Sequence, residues 1–364
     1  MRILELTKMT VPLYQAGDAN LLIGPPGCGK TSVVRNEIIA ILSAHYQEPF
    51  GYFESIAPTM DAPDYKGFLL PHKNADGTAG SSFTRSPELP SKEYLAKHKR
   101  GIYFIDELSS AEQLTQKALA APILEKKFGS EYLPEGWVVW AACNRMSDRA
   151  GVVRMPSHIR NRVREIGIEN DADSYAVWAE ANGIHPMIIS FVKQQPNIAL
   201  VNEVPNTDRP FSTARSITRA ARLLTTGMAR GADGKYVSMK LPDGVLMQQL
   251  VAGDIGEGAA GHLFGHLAVH HLMPTFDEVI ADPMKAKCPE ELSAGWAAGQ
   301  MVLHYVTAKT VDRAWKYIER LPREVQASMA RSLMERPGAG TLINSASMVA
   351  WIAKNRALIR ITDA

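Results

Sequence analysis

Nowhere does this 364-residue chain carry the roughly 20 consecutive apolar residues that a membrane helix needs. Its most apolar late stretch, "GHLFGHLAVHHLM", is too short and holds four histidines. The opening "MRILELTKMTVPLYQ" lacks the long apolar segment of a secretory signal. Three cysteines, Cys28, Cys143 and Cys288, stand far apart with no CxxC pair, which excludes a disulfide framework and fits reduced thiols. Charge of one sign is also missing: 40 Lys and Arg against 38 Asp and Glu leave +2. No overall field toward nucleic acid or anionic lipid results, so any nucleic-acid contact has to be a local patch. There is no internal repeat, no low-complexity tract and no HExxH zinc motif. With 46% apolar and 21% charged residues, a soluble, cytoplasmic, globular chain is expected, long enough for two domains and a third small one.

What is present falls into two regimes. Up to about residue 165, short β-rich runs ("NLLIG", "GYFESI", "GIYFIDE", "WVVWAACN") alternate with helix-length segments. That alternation predicts an α/β fold with a parallel sheet. "SSAEQLTQKALAAPILEKK" reads as one helix, capped by Ser109 or Ser110 and carrying lysines in its last turn. Beyond about 166 strand signals nearly vanish. "DADSYAVWAEANGIHPMIISFVKQQ" and "FSTARSITRAARLLTTGMARG" have helical periodicity, the latter closed by Gly231, and "GKYVSMKLPDG" is a short hairpin or an exposed loop. Further helical patterns follow. The layout is a nucleotide-binding α/β core (1–165), a small helical domain or lid (166–230) and a helical C-terminal extension (231–364).

The chemistry begins at "LLIGPPGCGKTS", which matches G-x-x-x-x-G-K-[ST] through Gly24, Gly29, Lys30 and Thr31. Glycines let successive backbone N–H groups turn inward around a polyphosphate, and the helix that follows adds its positive end. Gly24, Pro25, Pro26, Gly27, Cys28, Gly29, Lys30, Thr31 and Ser32 form the candidate loop. Lys30 is placed to reach the β- and γ-phosphates and Thr31 to ligate Mg²⁺. The buried run "GIYFI" ends in Asp106-Glu107, at the strand edge where open α/β sheets place ligands. Asp106 is the second candidate for Mg²⁺, and Glu107 the candidate to orient and polarise the attacking water. A third strand, "WVVWAAC", ends in Asn144, an amide suited to the γ-phosphate or the lytic water.

These residues together resemble the AAA+ ATPases and, within them, the MoxR-like, dynein-related branch. "FESIAPTMDAPDYKGF", with Asp64 and Gly67 at a D-x-x-G, "FIDELSSAEQLTQKALAAPILE", "LPEGWVVWAACN", "MPSHIRNRV" and "FSTARSITRAARLL" carry the likeness over about residues 1–230. The resemblance implies a parallel five-stranded P-loop core with a helical lid. It implies a sensor role for Asn144 and an arginine finger supplied by the neighbouring subunit. It also implies a second sensor at the start of the later helix. The finger segment departs from the usual Arg-Phe ending, so Arg162 is the better match and Arg160 stays open. The sensor segment has Ala214 where proline is usual before Arg215, and Arg219 is a second candidate. The implied assembly is a homo-oligomeric ring, most often a hexamer. The implied activity is Mg-ATP hydrolysis between subunits that remodels a protein client, for example a von Willebrand factor A-domain protein. ATP is preferred over GTP because no NKxD-like guanine reader is present. A nucleic-acid-associated motor or loader is the alternative that near-neutral charge disfavours, and a nucleotide-gated binding module with little turnover is the third.

Three features stand outside that scheme. Cys28 is read as a small structural residue, the sharper alternative being a thiolate activated by Lys30 and the helix N-terminus. His262, His266 and His270 recur every four residues with His271 adjoining, and a satisfied helix face is favoured over a zinc site. The polar segment 71–101 is either a surface excursion or a pore-facing insertion that grips a client.

Overall fold

The computed structural model describes residues 1–148, 155–336 and 338–356. The chain divides into two compact units, Met1–Glu169 and Asn170–Ala364.

In the first unit the strands are β1 (Asn20–Ile23), β2 (Gly51–Ile56), β3 (Leu69–Lys73), β4 (Ala79–Phe83), β5 (Gly101–Asp106), β6 (Lys127–Phe128), β7 (Glu131–Tyr132), β8 (Trp137–Cys143) and β9 (Arg164–Gly167). Five of them form one parallel sheet in the order β2-β5-β8-β1-β9. The α/β class with a parallel five-stranded sheet is therefore as expected. The fifth strand, β9, is one that the apolar runs do not announce: only Ile166 of its four residues is buried. Side chains alternate between the two faces. Leu21, Tyr103, Ile105, Val139 and Ala141 pack on one side with Leu108, Leu119 and Ile123. Leu22, Ile102, Phe104, Val138, Trp140 and Ala142 pack on the other with Val33, Val34, Ile38 and Leu42. Cover on both faces explains why these strands read as unbroken apolar runs.

Consecutive helical segments follow the phosphate loop: Lys30–Ser32, a π-helical stretch Val33–Ile38, and Ile39–Tyr46. The single helix expected from Ser109 is instead broken into a 3₁₀ turn at Leu108–Ser110 and helices Gln113–Ala118 and Ala120–Glu125. Ala111 is extended, Glu112 caps the first helix, and Lys126 closes the second in the left-handed region (φ +56°), so Lys127 already lies in β6. Strands β3 and β4 form an antiparallel hairpin with Leu69 opposite Phe83 and Lys73 opposite Ala79. Both its strands are largely exposed, and Phe68, Leu69, Leu70 and Phe83 present apolar surface.

The second unit is helical. Ala172–Ala181, Pro186–Gln194, Ala214–Leu224, Val245–Ile255, Glu257–Ala268, Leu292–Tyr305, Val311–Ile318, Arg323–Glu335 and Ala346–Lys354 are its main helices. Gly183 (φ +66°) and Pro186 separate the first two, which read as one stretch in the sequence. The helix begun at Ala214 stops at Leu224 with Thr225 as its cap, well before Gly231. "GKYVSMKLPDG" forms no hairpin; an isolated bridge, Arg230 to Tyr236, is its sole ladder contact among the described residues. One apolar cluster takes in Tyr175, Phe191, Ile217, Leu224, Val251, Leu263 and Ala297; a second takes in Trp296, Met301, Trp315, Met329 and Trp351.

Candidate nucleotide site

Strand register builds the site. Ile23 of β1 pairs with Cys143 of β8 on one side and with Gly167 of β9 on the other, so three chains leave the sheet at one level. On the far side of β8, Ile105 pairs with Ala141, which carries Asp106 to the same edge. The connection from β1 runs to β2 on one side of the sheet while that from β8 runs to β9 on the other. That reversal opens the crevice in which parallel sheets hold ligands.

The loop itself is tightly constrained. Gly27 and Gly29 have φ of +72° and +97°, a region that only glycine enters freely. At Gly24 a Cβ would sit 2.5 Å from the carbonyl oxygen of Ile168, so the first loop glycine is needed for close approach. The Gly24 N–H donates to Cys143 O, which ties the loop to β8. Lys30 is buried, and its Nζ donates to Gly24 O and Pro25 O at 2.9 Å each and to Asn144 Oδ1 at 3.2 Å. Thr31 Oγ1 donates to Asp106 Oδ2 at 2.5 Å. Ser32 accepts from Asn36 Nδ2. Asp106 Oδ1 accepts the N–H of Glu107, and Glu107 sits at φ +53°, ψ +35°, exposed. A non-glycine residue in the left-handed region costs of order 1–3 kcal/mol and is found where surroundings impose it, often at functional sites. The tight turn ends β5 at Asp106 and leaves Glu107 exposed just past it.

The donor set fits Mg²⁺: a hydroxyl and a carboxylate, both hard oxygen donors, already converge. The loop also fits a polyphosphate, because Lys30 satisfies its charge on backbone carbonyls and an amide and no carboxylate pairs with it among the described residues. Cys28 is buried, and burial pushes its thiol pKa up, outweighing the opposing pull of Lys30. An activated thiolate is not what this environment favours.

The arginines are placed differently. Arg160 closes the short helix Ser157–Arg160 and its Nε lies 2.8 Å from Glu165 Oε1. Arg162 is exposed and makes no ion pair among the described residues. Neither guanidinium bonds to the phosphate loop or the end of β5 among those residues. In the second unit Arg219 pairs with Asp254, whereas Arg215, in the first turn after the Thr213 cap, is exposed and unpaired among the described residues.

Some residues gain roles that the sequence did not announce. Asp64 closes a capping box on Asp61, and Gly67 (φ +77°) lies where a Cβ would meet Thr84 O at 2.0 Å. The D-x-x-G pair thus sets the base of the β3–β4 hairpin. Asp148, buried, accepts from the backbone and the guanidinium of Arg145 and so fixes the chain just past Asn144. His266 is buried against Gln194 Oε1, His262 is exposed and His270 meets His271 edge-on. Among the described residues no group of three or more His, Cys, Asp or Glu is arranged to hold a metal, and no helix is long and apolar enough to cross a membrane.

No protein-family model matches the chain, and no curated protein matches it. Solved structures similar to it include two variants of Thermotoga maritima RuvB. A proline-to-glycine variant is 14% identical with a TM-score of 0.36, covering 73% of this chain and 69% of that one. A lysine-to-arginine variant is 15% identical with a TM-score of 0.35, covering 73% and 70%. A Cytophaga hutchinsonii protein taken to be an ATPase is 12% identical with a TM-score of 0.29, covering 91% and 81%. At such values the reading of the site rests on its own geometry: an α/β P-loop core whose strand ends bring Lys30, Thr31, Asp106 and Asn144 into one cluster.

Proposed function

We propose that the chain is an ATP-hydrolysing AAA+ ATPase of MoxR type that acts as a homo-oligomeric ring, hexameric by resemblance, on a protein client. The observation that carries the reading is the Thr31–Asp106 contact beside the buried Lys30–Asn144 pair, since those four groups come from three separate strand ends. Lys30 and the loop N–H groups hold the polyphosphate of ATP, and Asn144 orients its terminal group. Mg²⁺, when held by Thr31 and Asp106, supplies charge neutralisation on the transferring phosphoryl oxygens. Glu107 orients and polarises the attacking water.

Arg162, without an ion pair among the described residues, is the group we assign to the neighbouring copy's nucleotide, with Arg160 restrained by Glu165. A guanidinium supplied in trans is worth about 10³–10⁵ in rate and makes turnover depend on assembly. Arg215 is the second sensor on the helical unit, in which 170–230 acts as the lid and 231–364 as its extension, the expected lid start at 166 falling inside β9 of the sheet. The client is a protein, of which one bearing a von Willebrand factor A domain is the specific candidate from the resemblance. The exposed β3–β4 hairpin, with Phe68, Leu69, Leu70 and Phe83, is the surface we assign to gripping it.

The test is steady phosphate release by the wild type and by Glu107→Gln, with affinity capture on that variant in ATP. Turnover lost about 10²-fold or more with nucleotide still bound, and a protein retained, supports the proposal. Negligible turnover in the wild type leaves a nucleotide-gated binding module. Capture of nucleic acid alone, with salt-sensitive stimulation, makes the chain a nucleic-acid motor instead.

A further inference from the structure

A cleft of about 760 Å³, within the size range of small-molecule sites, opens on the first unit. It lies apart from the phosphate loop in its lining: one wall is the helix Gln113–Ala118, and the other is the segment from Met155 to Glu165. Gln113 and Lys117, four residues apart, share one helix face and both border it. Opposite them stand Arg160, Asn161 and Glu165. The charges do not cancel. Glu165 is taken by Arg160 at 2.8 Å, while Lys117 is exposed and has no ion pair among the described residues. Arg162 follows directly on Asn161. Nor does Lys117 bond to its own phosphate loop, whose charge requirement Lys30 already meets from within.

We infer that Lys117 is a second cation acting in trans: in the assembled ring it meets the polyphosphate held by the adjacent copy, beside Arg162. The inference rests on the proposed hydrolysis at subunit interfaces. A compact ammonium on a flexible stem suits a phosphate oxygen approached from another molecule, and the guanidinium supplies the planar fork. Lys117 lies in the helix that follows the Leu108–Ser110 turn after Glu107.

The experiment uses the full chain and ATP. Lys117→Ala is expected to lower kcat about 10–100-fold while nucleotide affinity stays within about twofold, and Lys117→Arg to retain most of the activity. Lys117→Ala, at that reduced rate alone, is then mixed with Lys30→Ala, which is expected to be inactive alone. At equimolar mixing about a quarter of the interfaces join an intact nucleotide site to an intact Lys117, and activity should return to that extent. Arg162→Ala mixed with Lys30→Ala is run in parallel. Recovery in the Arg162 pair without recovery in the Lys117 pair overturns the role of Lys117 and leaves the ring standing. Recovery in neither pair overturns hydrolysis at the interface, and the inference with it. Weaker nucleotide binding by Lys117→Ala at unchanged kcat also overturns it.

Discussion

Thr31 Oγ1 lies 2.5 Å from Asp106 Oδ2, although 75 residues separate the two in the chain. The hydroxyl comes from the first helical turn after β1 and the carboxylate from the last residue of β5, with β8 between those strands. The contact therefore reports that sheet order and register have put two hard oxygen donors on one spot. Asp106→Asn keeps the shape and removes the charge. It is expected to raise the Mg²⁺ concentration needed for half-maximal phosphate release about 10- to 100-fold, with little change in the urea midpoint. A variant with unchanged Mg²⁺ dependence would place the metal elsewhere.

Cysteine reactivity follows burial. Cys28 and Cys143 are buried, and burial pushes both thiols up, Cys143 to about 11, whereas Cys288 is only partly covered. Because the thiolate is the nucleophile, iodoacetamide at pH 7 should label Cys288 first and leave Cys28 for the unfolded protein. Mass spectrometry of the peptides decides the order, and rapid native labelling of Cys28 would revive the activated-thiol reading.

Acid should loosen the helical unit. His185 and His266 are buried, each with its pKa pushed down to about 4 from 6.5, in both cases chiefly by desolvation. His185 Nε2 also donates to Ser238 O, its Nδ1 accepts from the Met187 N–H and the ring feels Arg230, while His266 meets Gln194 Oε1. The unfolded chain takes up these protons below about pH 6.5 and the folded one only below about pH 4, so stability falls as pH drops through that window. By pH 5 the loss is about 2 kcal/mol for each histidine. Urea midpoints between pH 7 and pH 4.5, with His266→Gln as the comparison, measure it; a flat profile would mean that these rings are not buried neutral.

Lys193 is a buried ammonium that donates to Ser328 O and Ser332 Oγ and lies 3.6 Å from Asp173, which also faces Arg331 at 3.7 Å. It ties the helix Pro186–Gln194 to the helices Ala172–Ala181 and Arg323–Glu335. Lys193→Ala removes the stem and strands its partners, and should cost about 3 kcal/mol. Lys193→Met keeps the packing and relieves the desolvation of a charge, so its cost should be less than half of that. Equal losses for the two would make the lysine's packing irrelevant.

The phosphate loop was legible because its chemistry is local: glycines, a cation and a hydroxyl at fixed offsets need only a strand before them and a helix after. The apolar runs of β1, β5 and β8 were legible for a similar reason, since burial on both faces leaves no alternation to misread. β9 escaped because only Ile166 of its residues is buried, so its strand character comes from pairing with β1 rather than from composition. The helix expected at Ser109 failed because Glu107 turns through the left-handed region and Ala111 is extended, neither of which residue type foretells. On paper Arg162 was the better match and Arg160 stayed open, and Glu165, five residues beyond Arg160, is what separates them by pairing with it.

By itself, then, the order of amino acids settled the fold class and the identity of the phosphate-loop, acidic and amide candidates, because each depends on neighbours a few positions away. Tertiary structure alone decided that Thr31 meets Asp106, that Lys30 reaches Asn144, that Glu107 turns through the left-handed region and that Lys117 borders a cleft shared with Arg160. Those relations depend on which strands lie side by side and in what register, and that is fixed by burial of the sheet's two faces across more than a hundred residues of chain.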